Sequence, residues 1–164
     1  MESSSWQLTS SSGREWVRWD LQEVHAREQR AALICDIHLE GQYFGAALGG
    51  EATGVRDYHL LLGGLAIGRD ELERLSLYLR QWLQLPLAQQ ARRPPALTCN
   101  VGGLFDQSLT MTLGQRDDTL SGGRPVATFR YIVGRLTGEL SFVTDQSCLR
   151  LLCEGIDAAI GRNS

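Results

Sequence analysis

The chain contains no lysine. All 16 of its cationic residues are Arg, which excludes a P-loop nucleotide site, because that loop needs a Lys to reach the terminal phosphates. With abundant Gly, Leu and Ala, the absence fits a GC-rich coding bias better than a choice of Arg for partner recognition. Long hydrophobic runs are missing too. None approaches the roughly 20 apolar residues of a membrane-spanning helix. The opening MESSSWQLTSSSG is polar, with no apolar stretch to act as a signal peptide. No membrane association is therefore expected, and the cytoplasm is the expected location. A formal charge of −3 is too small to argue for nucleic acid, and the aromatic residues are not interleaved with basic stripes.

Patterns that announce chemistry are equally scarce. GGL at 63–65 and GGLF at 102–105 lack the spacing and the strand–turn–helix setting of a dinucleotide site. SGGR at 121–124 runs into Pro125 and a strand rather than a helix. There is no G-x-S-x-G elbow for a serine nucleophile. The four cysteines, Cys35, Cys99, Cys148 and Cys153, are expected to be reduced in the cytoplasm and to serve as small buried side chains. A zinc site normally shows two tight ligand pairs. Cys148 and Cys153 are five residues apart on an expected helix, roughly 140° around it. No metal and no cofactor are expected.

The richest short stretch is LICDIHLEG, residues 33–41. Read as a strand, it places Leu33, Cys35, Ile37 and Leu39 on one apolar face, with Asp36 and His38 on the other. Cys35 and His38 cannot then close on one metal. Asp36 and His38 share a face and can approach each other, so they are the pair to consider for a small enzyme. No nucleophile accompanies them for a base to activate, which favours a surface pair. His25 and His59 carry no further signal, and His59 is expected at a strand edge.

What the sequence does have is alternation. Residues 1–13 read as a flexible leader, with a short strand around Trp6–Thr9. From Glu15, Val17, Trp19 and Leu21 alternate with Arg18, Asp20 and Gln22, the period of a half-buried strand; a helix over 22–32 is the rival reading. Strands follow over 30–39 and QYFGAAL (42–48), then a polar loop over 49–57. The apolar strand YHLLLGGLAI comes next, bulged or broken at Gly63 and Gly64.

The helix IGRDELERLSLYLRQWL puts Leu72, Leu75, Leu79, Trp82 and Leu83 on one stripe, with a Gly68 cap and Pro86 as stop. After the connector AQQARRPP come strands LTCNV, SLTMTLG, VATFRYIVG and ELSFV. Thr144 is expected to cap a last helix striped by Leu149, Leu152, Cys153, Ile156 and Ile160 and ended by Gly161. The pattern predicts one α+β domain over 14–164, mostly antiparallel sheet with two amphipathic helices, each following a strand. It forms a weak internal repeat of two halves, about 14–87 and 96–161.

The residues left for a partner are the carboxylates of the expected loops. Glu51 and Asp57 lie in one, Asp117 and Asp118 in another (115–124), and Asp106 stands before a strand. Singly they are ordinary solvated turn residues. Grouped on one edge, they would meet a basic protein surface.

The order of strands into RDELERLSLYLRQWL, then SLTMTLG, VATFRYIVG and ELSFVTDQSCLRLLCEGIDAAI, over roughly residues 15–160, resembles the WapI-type immunity proteins of bacterial toxin–immunity systems. The resemblance implies a non-enzymatic protein that neutralises a cognate toxin, encoded by a neighbouring gene, through a stoichiometric complex. It transfers no site residue. A secretion chaperone or adaptor module is the alternative, and a small enzyme using Asp36 and His38 a third. Nothing in the residues fixes the oligomeric state.

Overall fold

The structure is a computed structural model of the chain, and it describes residues 5–27, 30–46, 52–85, 97–104, 107–115 and 124–162. Two antiparallel meanders make up the described sheet structure. The first orders β1 (Ser5–Thr9), β2 (Glu15–Arg27), β3 (Arg30–Ala46) and β4 (Ala52–Gly68) side by side and runs straight into α1 (Arg69–Gln84). The second orders β5 (Leu97–Leu104), β6 (Gln107–Gln115), β7 (Pro125–Val133) and β8 (Leu136–Val143), followed by α2 (Gln146–Arg162). The fold is α+β, and the strand-then-helix order occurs twice.

Several boundaries differ from the sequence reading. Ser5–Thr9 is a strand of the first sheet, as the short strand around Trp6 anticipated, and so not part of a flexible leader: Trp6 and Leu8 are buried, and Leu8 pairs with Val17. The rival helix over 22–32 is replaced by strand, with β2 continuing to Arg27 through an irregularity between Leu21 and Glu23. The two strands expected over 30–48 are one, because β3 pairs continuously with β4 from Ala32 to Ala46 apart from two register shifts. The supposed loop 49–57 is largely β4, which begins at Ala52. The connector 88–95 lies outside the described residues.

Alternation explains which face of each strand is inward. Val17, Trp19, Leu33, Cys35, Ile37, Leu39, Leu62, Leu65 and Ile67 are buried on the first sheet, and Leu109, Met111, Leu113, Ala127, Phe129 and Phe142 on the second. The inner faces meet through aromatic rings. Trp6 stacks on Trp19 with centroids 6.4 Å apart, Trp19 tilts onto Phe129 at 6.0 Å, and Phe129 lies 5.9 Å from Phe142. This chain of rings crosses from β1 to β8, and one cluster of buried residues takes in both sheets and both helices. Each fully buried Leu in it contributes about 1.5–3 kcal/mol relative to exposure.

Both helices form as their stripes require. Leu72, Leu75, Leu79 and Trp82 of α1 are buried, its first turn carries Asp70 and Glu71, and the helix stops at Gln84, before Pro86. The cap of α2 is a correction. Asp145, not Thr144, fills the role: its Oδ1 accepts the Cys148 N–H at 2.8 Å, and its carbonyl accepts the Leu149 N–H at 3.1 Å. Thr144, fully buried, instead ties the second half to the first by donating its hydroxyl to the Thr9 carbonyl at 2.9 Å. Nor does Gly161 end the helix, which continues through Arg162.

Candidate functional site

The outer face of the first sheet carries the best-organised polar group among the described residues, and its centre is the stretch 33–41. β3 turns Leu33, Cys35, Ile37 and Leu39 into the core, so Asp36, His38 and Glu40 project from the opposite face. Pairing with β2 sets Arg18 opposite His38 and Asp20 opposite Asp36, and pairing with β4 sets His59 opposite Glu40.

These side chains engage one another. His38 Nε2 lies 3.1 Å from Asp20 Oδ2, and Arg18 Nε donates to both Asp20 oxygens at 3.1 and 3.4 Å. On its other side, His38 Nδ1 lies 2.8 Å from His59 Nε2. The two imidazoles meet edge to edge, with centroids 5.1 Å apart and planes 12° from parallel, so that the two nitrogens face each other. Glu40 Oε1 is 3.3 Å from His59 Nε2 and 4.0 Å from His38 Nδ1. The face is open: the side chains of His38, Glu40 and Asp20 are 16%, 22% and 24% exposed, and that of His59 is 50% exposed.

Asp36 and His38 share a face as expected, but their partners are different. Asp36 Oδ1 accepts the N–H of Gly64 at 2.9 Å. Gly64 sits at φ +66° in the bulge where the β3–β4 register jumps from Cys35–Leu65 to Ile37–Leu62. The expected irregularity at Gly63–Gly64 is thus real, and Asp36 is its clasp. The carboxylate that orients His38 comes from β2, as Asp20.

Beneath this face, Cys35 is fully buried, and its thiol is pushed up to about 12, first by desolvation and then by the nearby Asp36 and Asp20 carboxylates. It is an inert core thiol. Cys148, half-buried at the start of α2, is raised too, first by burial and then by Asp145.

A second polar group joins the helices. Asp157 of α2 accepts from Ser76 Oγ and pairs with Arg80, both on α1, while Cys153 Sγ lies 3.5 Å from Ser76 Oγ. Shallow hollows of about 300 and 340 Å³ flank this seam.

Of the carboxylates expected to meet a partner, Glu51, Asp106, Asp117 and Asp118 lie outside the described residues. Asp57 falls on β4 rather than in a loop, with Gln42 as its cross-strand neighbour. Sequence reasoning passed over Asp20, Glu40 and His59 as a group. They stand on three strands, and the only local signal was the shared polar phase of Asp36, His38 and Glu40.

No family model matches the chain, and no curated protein matches it. Among solved structures, a plant transcriptional regulator, PBF-2, is similar at a TM-score of 0.39 and 8% identity, over 98% of this chain and 81% of that one. Among the described residues, no helix is long and apolar enough to cross a membrane.

Proposed function

We propose that the chain is a non-enzymatic immunity protein of the cytoplasm, which neutralises a cognate protein toxin by forming a stoichiometric complex with it. The observation that carries this reading is the doubled order of antiparallel meander and helix, the organisation on which the resemblance to WapI-type immunity proteins rests. The outer face of the first sheet adds to it. Arg18, Asp20, His38, Glu40 and His59 form a partly exposed polar platform on paired strands, suited to a folded partner. Complementary charge there would speed encounter and set specificity, and a complex of this kind buries about 1,200–2,000 Å².

The test is co-expression with the product of the neighbouring open reading frame. Rescue of a toxic neighbour, with a one-to-one complex on co-purification, is the expected result. A stable complex without toxicity would favour a secretion chaperone or adaptor, and the absence of both rescue and binding would refute the proposal.

A further inference from the structure

We propose that His38, Glu40 and His59 form a binding site for a divalent transition-metal ion of the zinc class, with Asp20 positioning one of the ligands. This goes beyond toxin binding and does not depend on it.

His38 Nδ1, His59 Nε2 and Glu40 Oε1 converge from two adjacent strands. Their separations are 2.8, 3.3 and 4.0 Å. A circle through three points at those separations has a radius of about 2.0 Å, the length of a zinc–imidazole or zinc–carboxylate bond. Tetrahedral binding requires the two imidazoles to turn off their mutual hydrogen bond and the 4.0 Å separation of His38 and Glu40 to close to about 3.3 Å.

The second support is the shell behind the ligands. A ligating imidazole characteristically donates its other ring N–H to a carboxylate, which fixes the tautomer and orients the ring. Asp20 stands 3.1 Å from His38 Nε2 and is itself held by Arg18. With that proton on Nε2, the Nδ1 lone pair of His38 faces His59 Nε2 and is left free to take a metal. Without an ion, one proton shared between His38 Nδ1 and His59 Nε2 satisfies the pair; the metal takes the place of that proton.

The third is the rigidity of the support. Glu40 and His59 are direct cross-strand partners, and His38 is two residues along the same face. The alternate residues Ile37 and Leu39 are locked in the core. At one end Asp36 clasps the Gly64 bulge, and at the other the Tyr58 ring lies against Gly41, where there is no room for a side chain.

The donor set selects the metal. Two imidazoles and one carboxylate suit zinc and its first-row neighbours, whereas calcium and magnesium favour sites built from oxygen ligands. Three protein ligands on an open face leave at least one coordination position outward, for water or for a side chain of a docked partner.

Titration of the untagged, chelator-treated full chain with Co²⁺, followed by its visible d–d absorption, and with Zn²⁺ by calorimetry tests the site. One ion per chain is expected. His59→Gln and Glu40→Gln should each weaken binding by at least about 100-fold, and Asp20→Asn by about 10-fold or more, the scale on which outer-shell partners act. Circular dichroism establishes that each variant remains folded. Both ligand substitutions lie on the solvent face, so each serves as a check on the other. Absence of saturable binding, or binding that survives both ligand substitutions, would overturn the proposal and leave His38 and His59 as a hydrogen-bonded pair. Toxin rescue is scored separately, so failure here leaves the immunity reading standing and the reverse also holds.

Discussion

Gly155 of α2 lies against Trp6 of β1 so closely that a methyl group at position 155 would come 2.6 Å from the Trp6 Cβ and 3.5 Å from its Cα. The glycine therefore does not interrupt the helix; it lets α2 settle on the first strand and bury Trp6. Gly155→Ala improves helix propensity by about 1 kcal/mol, but overpacking against a strand backbone costs about 1–3 kcal/mol. The net expectation is a lower melting temperature. Gly161→Ala is the control: a Cβ there meets nothing within 4 Å, so its melting temperature should hold or rise.

Asp145→Ala should destabilise the protein by about 1 kcal/mol, the usual loss on removing a helix cap. The affected contact is the 2.8 Å bond from the Cys148 amide. Thr144→Val should also lower the urea midpoint, but by breaking the bond to the Thr9 carbonyl that joins the two halves. The two residues are adjacent and both contact Cys148, so the losses are expected to couple rather than add. An additive double mutant would show that cap and tie act independently.

The bulge in β3–β4 gives a third expectation. Gly64 has φ +66°, where a Cβ is strained by roughly 1–2 kcal/mol. Gly64→Ala should destabilise the protein by about that much although nothing crowds the position. Asp36→Ala, which removes the acceptor for the Gly64 amide, should cost about 0.5–1.5 kcal/mol. Protection of the Gly64 amide from hydrogen exchange should fall in both, and an unchanged exchange rate in Asp36→Ala would refute the clasp.

Cys35 predicts an alkaline loss of stability. Its thiol holds its proton up to about 12 in the folded protein, against an ordinary 9.0 once unfolded. Between those values the folded state binds more protons than the unfolded chain, so stability falls as pH rises. The contribution is fully present below pH 9 and lost on the way to pH 12, a difference on the order of 4 kcal/mol over the whole window. Urea midpoints measured from pH 8 to 10.5 should fall more steeply for the native sequence than for Cys35→Ala. Native Cys35 should also resist alkylation until the protein unfolds.

Much of the fold was legible because it is local. The period of two at Val17, Trp19 and Leu21, or at Leu109, Met111 and Leu113, states which side of a strand meets the core. The stripe from Leu72 to Trp82 states which side of α1 is buried. The repeat of strands closing in a helix followed from the same arithmetic, and so did the opposite faces of Cys35 and His38.

Register and partnership were decided elsewhere. Whether residues 30–46 make one strand or two depends on a continuous neighbour, and only β4 supplies it. Asp145 displaced Thr144 as the cap because the Thr9 carbonyl, 135 residues away in sequence, offered the threonine a better use. The polar cluster depends on register in the same way. His59 meets Glu40, and Asp20 reaches His38, only because two irregularities, after Leu21 and at Gly63–Gly64, hold the three strands in phase. A shift of one residue at either would turn these side chains to the other face. The sequence by itself determined which residues face outward from each strand; the tertiary structure alone decided which of them meet, because contacts between strands depend on a register that local alternation does not encode.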